Sequence, residues 1–146
     1  MSIADAIIAA REIKPIETTT ELKEAVARFL PKGSENKVLA QIFQSLRIEV
    51  NEEMKVLEIF LSQCADVLKP GGRLVVMSYH SLEDRLVKNF MKTGNADGNL
   101  EKDFFGNQLT PYKLMTSKPV VPSDDEIQIN SRARSAKLRV AERRKE

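Results

Sequence analysis

Apolar positions recur at helical intervals over the early part of the chain and gather into short, nearly continuous runs later. Ile3 to Ile13 is apolar-rich and predicts a short helix that ends before Pro15. In "IETTTELKEAVARFL", Thr18 and Glu21 have capping-box spacing, and Leu22, Val26, Phe29 and Leu30 follow at helical intervals as far as Pro31. After the loop "PKGSENK", Val38, Leu39, Ile42, Phe43, Leu46 and Val50 mark one stripe of an amphipathic helix. Asn51 is expected to cap the next helix, whose face carries Val56, Leu57, Phe60, Leu61, Cys64 and Leu68. "KPGG" then supplies residues suited to ending it.

The pattern changes at "RLVVMSY", a β-rich and almost unbroken apolar run that predicts a strand covered on both faces. Ser81 with Asp84 three positions later predicts another helix start, and Leu82, Leu86, Val87, Phe90 and Met91 supply its apolar face. The polar, glycine-containing "TGNADGNLEKDFFGNQLTP" predicts a loop. "YKLMTSKPVV" predicts a strand ending at Pro119, Ser123 with Glu126 a short capped helix, and "AKLRVAE" a final strand. This order predicts an α/β sheet. Three strands are few for so many helices, which points to a part of something larger or to pairing with another copy.

Composition narrows the class. The chain has 146 residues, 42% of them hydrophobic and 30% charged, which fits an ordinary soluble domain. No apolar run approaches the roughly 20 residues that cross a bilayer. The start "MSIADAIIAAREIK" lacks a basic stretch before an apolar core and cleavage site, so no secretory signal is expected. A lone cysteine, Cys64, excludes an internal disulfide and favours a reducing, cytoplasmic setting; its helical position makes it a small core residue. With one cysteine and one histidine no metal site is expected. The net charge of +2 conceals a cluster, because "NSRARSAKLRVAERRK" carries Arg132, Arg134, Lys137, Arg139, Arg143, Arg144 and Lys145 against Glu142 alone. Such a cluster suits phosphate or nucleic acid, or forms a solvated basic tail.

The junction "MSYHSLEDR" holds the only histidine, His80. Ligands of open α/β sheets bind beyond the carboxyl ends of strands, and a helix start there offers free N–H groups. The plainer account makes Ser81 a cap, Glu83 and Asp84 acids that complement the helix dipole, and Arg85 a partner for one of them. A serine hydrolase is excluded: Ser81 directly follows His80, and no G-x-S-x-G elbow occurs. Phosphate-loop and dinucleotide fingerprints are absent as well, since no G-x-G occurs anywhere.

Four stretches together carry a resemblance: "KPIETTTEL", "FQSLRIEVNEEM", "LKPGGRLVVMSYHSLEDRLVK" and "PSDDEIQINSRARSAKLRVAER". In order, from about Ile3 to Arg143, they resemble the bacterial S-adenosylmethionine-dependent methyltransferases that modify the N4 amine of a cytosine in small-subunit ribosomal RNA. The usual family junction reads Ser-Phe-His-Ser-Leu-Glu-Asp-Arg, and Tyr79 replaces the Phe here. Members of that family are about twice this length, and the chain resembles their C-terminal half only.

The resemblance implies a fold and a division. Residues 1–50 would be part of a helical insertion domain, and residues 51–146 the C-terminal half of a Rossmann-like methyltransferase domain. The cofactor loop and the acid that holds the cofactor ribose would lie in the other half, so no cofactor-binding residue is assigned here. The resemblance further implies that His80, Ser81, Glu83 and Asp84 shape the substrate side of the methyl-transfer site. Arg85, Arg132, Arg134, Lys137 and Arg139 would contact ribosomal RNA. Self-association, or pairing with an N-terminal half, is the expected assembly. A reading from another class remains beside it: a non-catalytic RNA-binding or interaction module derived from the same family.

Overall fold

The computed structural model describes residues 2–145. Among them are six α-helices and one three-stranded sheet. The chain divides into two units, the first reaching to Asn51 and the second beginning at Glu52.

The first unit is helical. Helix α1 (Ile3–Ile13) starts at a capping box in which the Ser2 hydroxyl accepts from the Asp5 N–H and Asp5 accepts from the Ser2 N–H. Helix α2 (Thr19–Ala25) starts in the same way at Thr18, with Glu21 reaching back to its backbone. The stretch expected to run on to Pro31 instead tightens into a 3₁₀ turn at Ala27–Phe29. Helix α3 (Glu35–Val50) completes the unit. Val26, Leu39 and Ile42 are its buried centre, with Ile3, Ile7, Leu30, Val38 and Phe43 packed around them.

In the second unit, helix α4 (Glu53–Val67) leads to strand β1 (Arg73–Ser78), helix α5 (Ser81–Thr93) and strand β2 (Tyr112–Leu114). Helix α6 (Asp124–Ile129), a 3₁₀ helix at Ser131–Ser135 and strand β3 (Lys137–Arg143) follow. The last strand in sequence is the central one, in the order β1-β3-β2. It runs antiparallel to both neighbours, pairing Ser78 with Lys137, Arg73 with Glu142 and Tyr112 with Arg143. The core lies on one face of this sheet, where Leu61, Cys64, Leu74, Val87, Phe90, Met91, Tyr112 and Ala141 come together. Burial pushes the Cys64 thiol up, as befits a core residue.

Several expectations change here. Asn51 closes α3 rather than opening α4, and Glu52 takes the opening position with a left-handed φ of 50°. Strand β1 is covered on one face only: Leu74 and Ser78 are buried, whereas Val75 and Met77 are 54% and 52% exposed. A continuous apolar run therefore marks a strand whose second face is uncovered in this chain. The strand expected over residues 112–118 stops at Leu114, after which Val120 makes one isolated bridge to Leu138.

Candidate functional site

The turn into β1 sets where the junction lies. Gly71 has a φ of 80°, and its N–H donates to the Arg143 carbonyl at 2.9 Å. The Gly72 N–H closes the turn on the Lys69 carbonyl at 2.7 Å, and a Cβ at Gly72 would stand 2.8 Å from that oxygen. Glycine is thus required by the turn itself.

At the other end of β1, the chain leaves the sheet at Ser78, and Tyr79 and His80 carry it into α5. The residue that caps the helix is His80, not Ser81. Its backbone is extended, and its Nδ1 accepts from the Glu83 N–H at 3.4 Å. Glu83 answers by accepting the Tyr79 N–H on Oε2 at 3.0 Å, so the two side chains form a reciprocal cap. A nitrogen that accepts carries no proton, so the neutral ring bears its hydrogen on Nε2. That Nε2 is buried without a hydrogen bond of good geometry, and the nearest carboxylate oxygen, Glu83 Oε1, lies 3.3 Å away.

The ligand-capable atoms of Glu53, His80 and Glu83 lie within 4.8 Å of one another. A histidine ligand needs an unprotonated ring nitrogen, and Nδ1 is the one engaged by the cap. Metal ligation through Nε2 would therefore require the ring to give up its capping bond.

Asp84 is engaged within the fold. It is buried, and it faces the central strand. Arg139 grips it through two bonds, Nε to Oδ1 at 2.7 Å and Nη2 to Oδ2 at 3.2 Å, and Lys137 Nζ adds a third at 3.2 Å. Burial raises the Asp84 carboxyl, but the bonds and charges of Arg139 and Lys137 outweigh it and hold it below its ordinary value. With both oxygens engaged, Asp84 ties α5 to β3. Arg139, on the other side of the pair, is itself buried. Lys137 shares the pair yet keeps 41% of its side chain exposed. Ser81, Arg85, Arg132 and Arg134 are exposed, the last two on the 3₁₀ helix between α6 and β3.

The uncovered face of the sheet borders a cavity of about 650 Å³. Met77 and Tyr79 line it from the junction side, and Val121, Glu126, Arg132 and Leu138 close it elsewhere. The structure thus brings Arg132 to the same hollow as Tyr79, a neighbourhood that no spacing in the sequence indicates. Two features escaped the sequence: histidine as the helix cap, and the Asp84–Arg139 pair, whose members stand 55 positions apart.

The model of the MraW methylase family matches residues 1–144. A ribosomal RNA small subunit methyltransferase H of Flavobacterium psychrophilum is 59% identical over 144 residues, 99% of this chain and 49% of that protein. The proteins of the same name from Flavobacterium johnsoniae and Parabacteroides distasonis are 56% and 55% identical, each over 97% of this chain and 46% of their own length. The chain spans about half the length of these curated relatives. The α/β architecture agrees with part of a Rossmann-like methyltransferase, and with the family model matching almost every residue, the chain belongs to the MraW methylase family.

Proposed function

We propose that this chain forms the substrate-side wall of an S-adenosylmethionine-dependent methyltransferase acting on a cytosine N4 amine of small-subunit ribosomal RNA. The first unit is assigned to the helical insertion and the second to the C-terminal half of the Rossmann-like domain. The reading rests on family membership together with one observation, the His80–Glu83 cap at the carboxyl end of β1. A bacterial ribosomal RNA enzyme works in the cytoplasm, and among the described residues no helix is long and apolar enough to cross a membrane.

The methyl donor does not fit the residues present. The paired glycines, Gly71 and Gly72, are consumed by the tight turn before β1, and they leave no cradle for a nucleoside. The donor is assigned to the part of the relatives' length that this chain does not span. The chain's own groups act on the base. A cytosine amine is a weak nucleophile because its lone pair is delocalised into the ring, so positioning and acceptance of its proton matter most. His80 Nε2–H, buried in the free chain, would donate to a ring acceptor such as O2 or N3 once the base displaces its cover. Glu83 Oε1, beside it, is the carboxylate oxygen free of backbone bonds and suits an amine N–H. Asp84, held by two cations, plays a structural part. Arg132 and Arg134 would meet RNA phosphates and make binding salt-dependent.

The test separates capping from chemistry. In a full-length relative, His80→Asn keeps an N-cap acceptor but removes the ring N–H, whereas His80→Ala removes both. Methylation of small-subunit RNA should fall about 100-fold or more in both variants, on the scale of one lost catalytic hydrogen-bonding group. Only the Ala variant should lose stability as well, by about 1 kcal/mol. Normal methylation by the Asn variant would leave His80 as a cap and nothing more.

A further inference from the structure

The loop between α5 and β2 carries two neighbouring aromatic rings with almost no cover. Phe104 is 98% exposed and Phe105 85%. Their centroids are 5.8 Å apart and their planes nearly perpendicular, at 88°. A phenylalanine left in water forgoes about 1.5–3 kcal/mol of burial, so folding of this chain gains little from either ring.

The backbone that carries the rings is nevertheless held in place. Asp103 locks the tip: Oδ1 accepts the N–H groups of Phe105 and Asn107 at 2.9 and 2.8 Å, and Oδ2 accepts the Asn107 amide at 2.8 Å. Backbone bonds close the loop below, from Asp103 N to the Asn107 carbonyl and from Leu109 N to the Glu101 carbonyl, both 2.9 Å. Gly106 supplies the left-handed residue such a tip needs, with a φ of 85°. A tip whose backbone is pinned in this way has less loop entropy to lose on binding.

The foot of the loop is basic. Arg144 donates from its backbone N–H to the Pro111 carbonyl at 2.9 Å and from Nε to the Tyr112 carbonyl at 3.0 Å. Arg143 reaches the Pro111 carbonyl at 3.4 Å, and Lys145 follows, exposed. Because Tyr112 pairs with Arg143 while Ser78 pairs with Lys137, this foot lies at the end of the sheet opposite the His80 junction. Exposed aromatic faces on a loop whose foot carries cations match the chemistry of unpaired nucleotides, whose bases stack while their phosphates seek positive charge.

We propose that Phe104 and Phe105 are a stacking platform for unpaired bases of single-stranded RNA, with Arg143, Arg144 and Lys145 at its foot drawing in the phosphates. The platform is a contact separate from the methyl-transfer wall, and it rests on the reading that the partner is ribosomal RNA.

The experiment uses the whole chain and a fluorescently labelled, unstructured single-stranded RNA, with affinity read by anisotropy. Replacing Phe104→Ala and Phe105→Ala together should weaken binding about tenfold per ring, while Phe104→Tyr with Phe105→Tyr stays within about twofold. The slope of log affinity against log salt should not change, because stacking releases no counterions. Without any variant, light-induced crosslinking from 5-iodouridine in the RNA should map to Phe104 or Phe105. Unchanged affinity in the alanine pair, or crosslinks only elsewhere, would overturn the platform. So would an alanine pair that loses self-association yet keeps RNA, since the rings would then serve a protein contact. A chain that binds no RNA defeats the RNA reading and the platform together. Binding weakened by Arg132→Glu but untouched by the alanine pair defeats the platform alone.

Discussion

Asp84 stays ionised although buried, because two cations from β3 hold it. Taking the carboxylate away leaves the Arg139 charge buried and unpaired, a loss of about 3–5 kcal/mol for a pair of this kind. Asp84→Asn, which keeps the shape, is therefore expected to lower stability by about 3 kcal/mol near neutral pH. The gap should depend on pH in a definite direction. The folded carboxyl titrates below its unfolded value of about 3.9. Its contribution is thus complete above that value and is lost as the pH falls through the lower, folded one. Urea unfolding at a series of pH values should show wild type and variant converging below about pH 4. A gap of constant size down to strong acid would mean that Asp84 contributes by shape and not by charge.

Two helix ends have the same left-handed backbone and use it differently. Gly94 ends α5 at a φ of 83°, its N–H donating to the Phe90 carbonyl at 2.8 Å. A Cβ there would meet Pro111 Cδ at 2.8 Å. Gly94→Ala should therefore cost more than the about 1–2 kcal/mol of left-handed strain alone, seen as a lower denaturation midpoint with an unchanged slope. A loss below 1 kcal/mol would show that the chain around Pro111 yields easily. Glu52, the one non-glycine among the described residues with positive φ, bears such strain at the start of α4. Its conformation was illegible in the sequence, where Asn51 is the better cap by type. Local chemistry was legible where side chains speak to their own backbone, as in the Thr18–Glu21 box and the Ser123 cap that accepts from the Glu126 N–H. His80 broke the rule because Ser81 beside it is the commoner cap, yet only His80 has the extended backbone that a cap requires. The fate of Arg139 was illegible for another reason: a cation on a strand reads as solvent-facing until its partner, 55 positions away, is placed against it.

At the scale of the molecule, the sheet has one clothed face and one bare face. Val75 and Met77 on β1, with Val120 and Val121 beyond β2, stand 52–60% exposed. Apolar groups gathered on one side of a sheet are seldom left in water without a partner. The periodicity already implied a cover, since "RLVVMSY" is apolar at successive positions and not at alternate ones. What the periodicity could not say was that no described segment of the second unit provides it. The relatives do offer a candidate: this chain accounts for 46–49% of their length, and the remainder is long enough to clothe a sheet face. The chain by itself is therefore expected to self-associate with rising concentration and to bind an apolar dye. Supplying the other half of a relative as a separate polypeptide should give a one-to-one complex and suppress the dye signal. Met77→Glu should weaken both associations, because it places a charge in the middle of the bare face where pairing would desolvate it. Light scattering from the chain alone is decisive. A monodisperse monomer at high concentration, with no dye binding, would mean that the face is tolerated in water and that pairing must be sought on another surface.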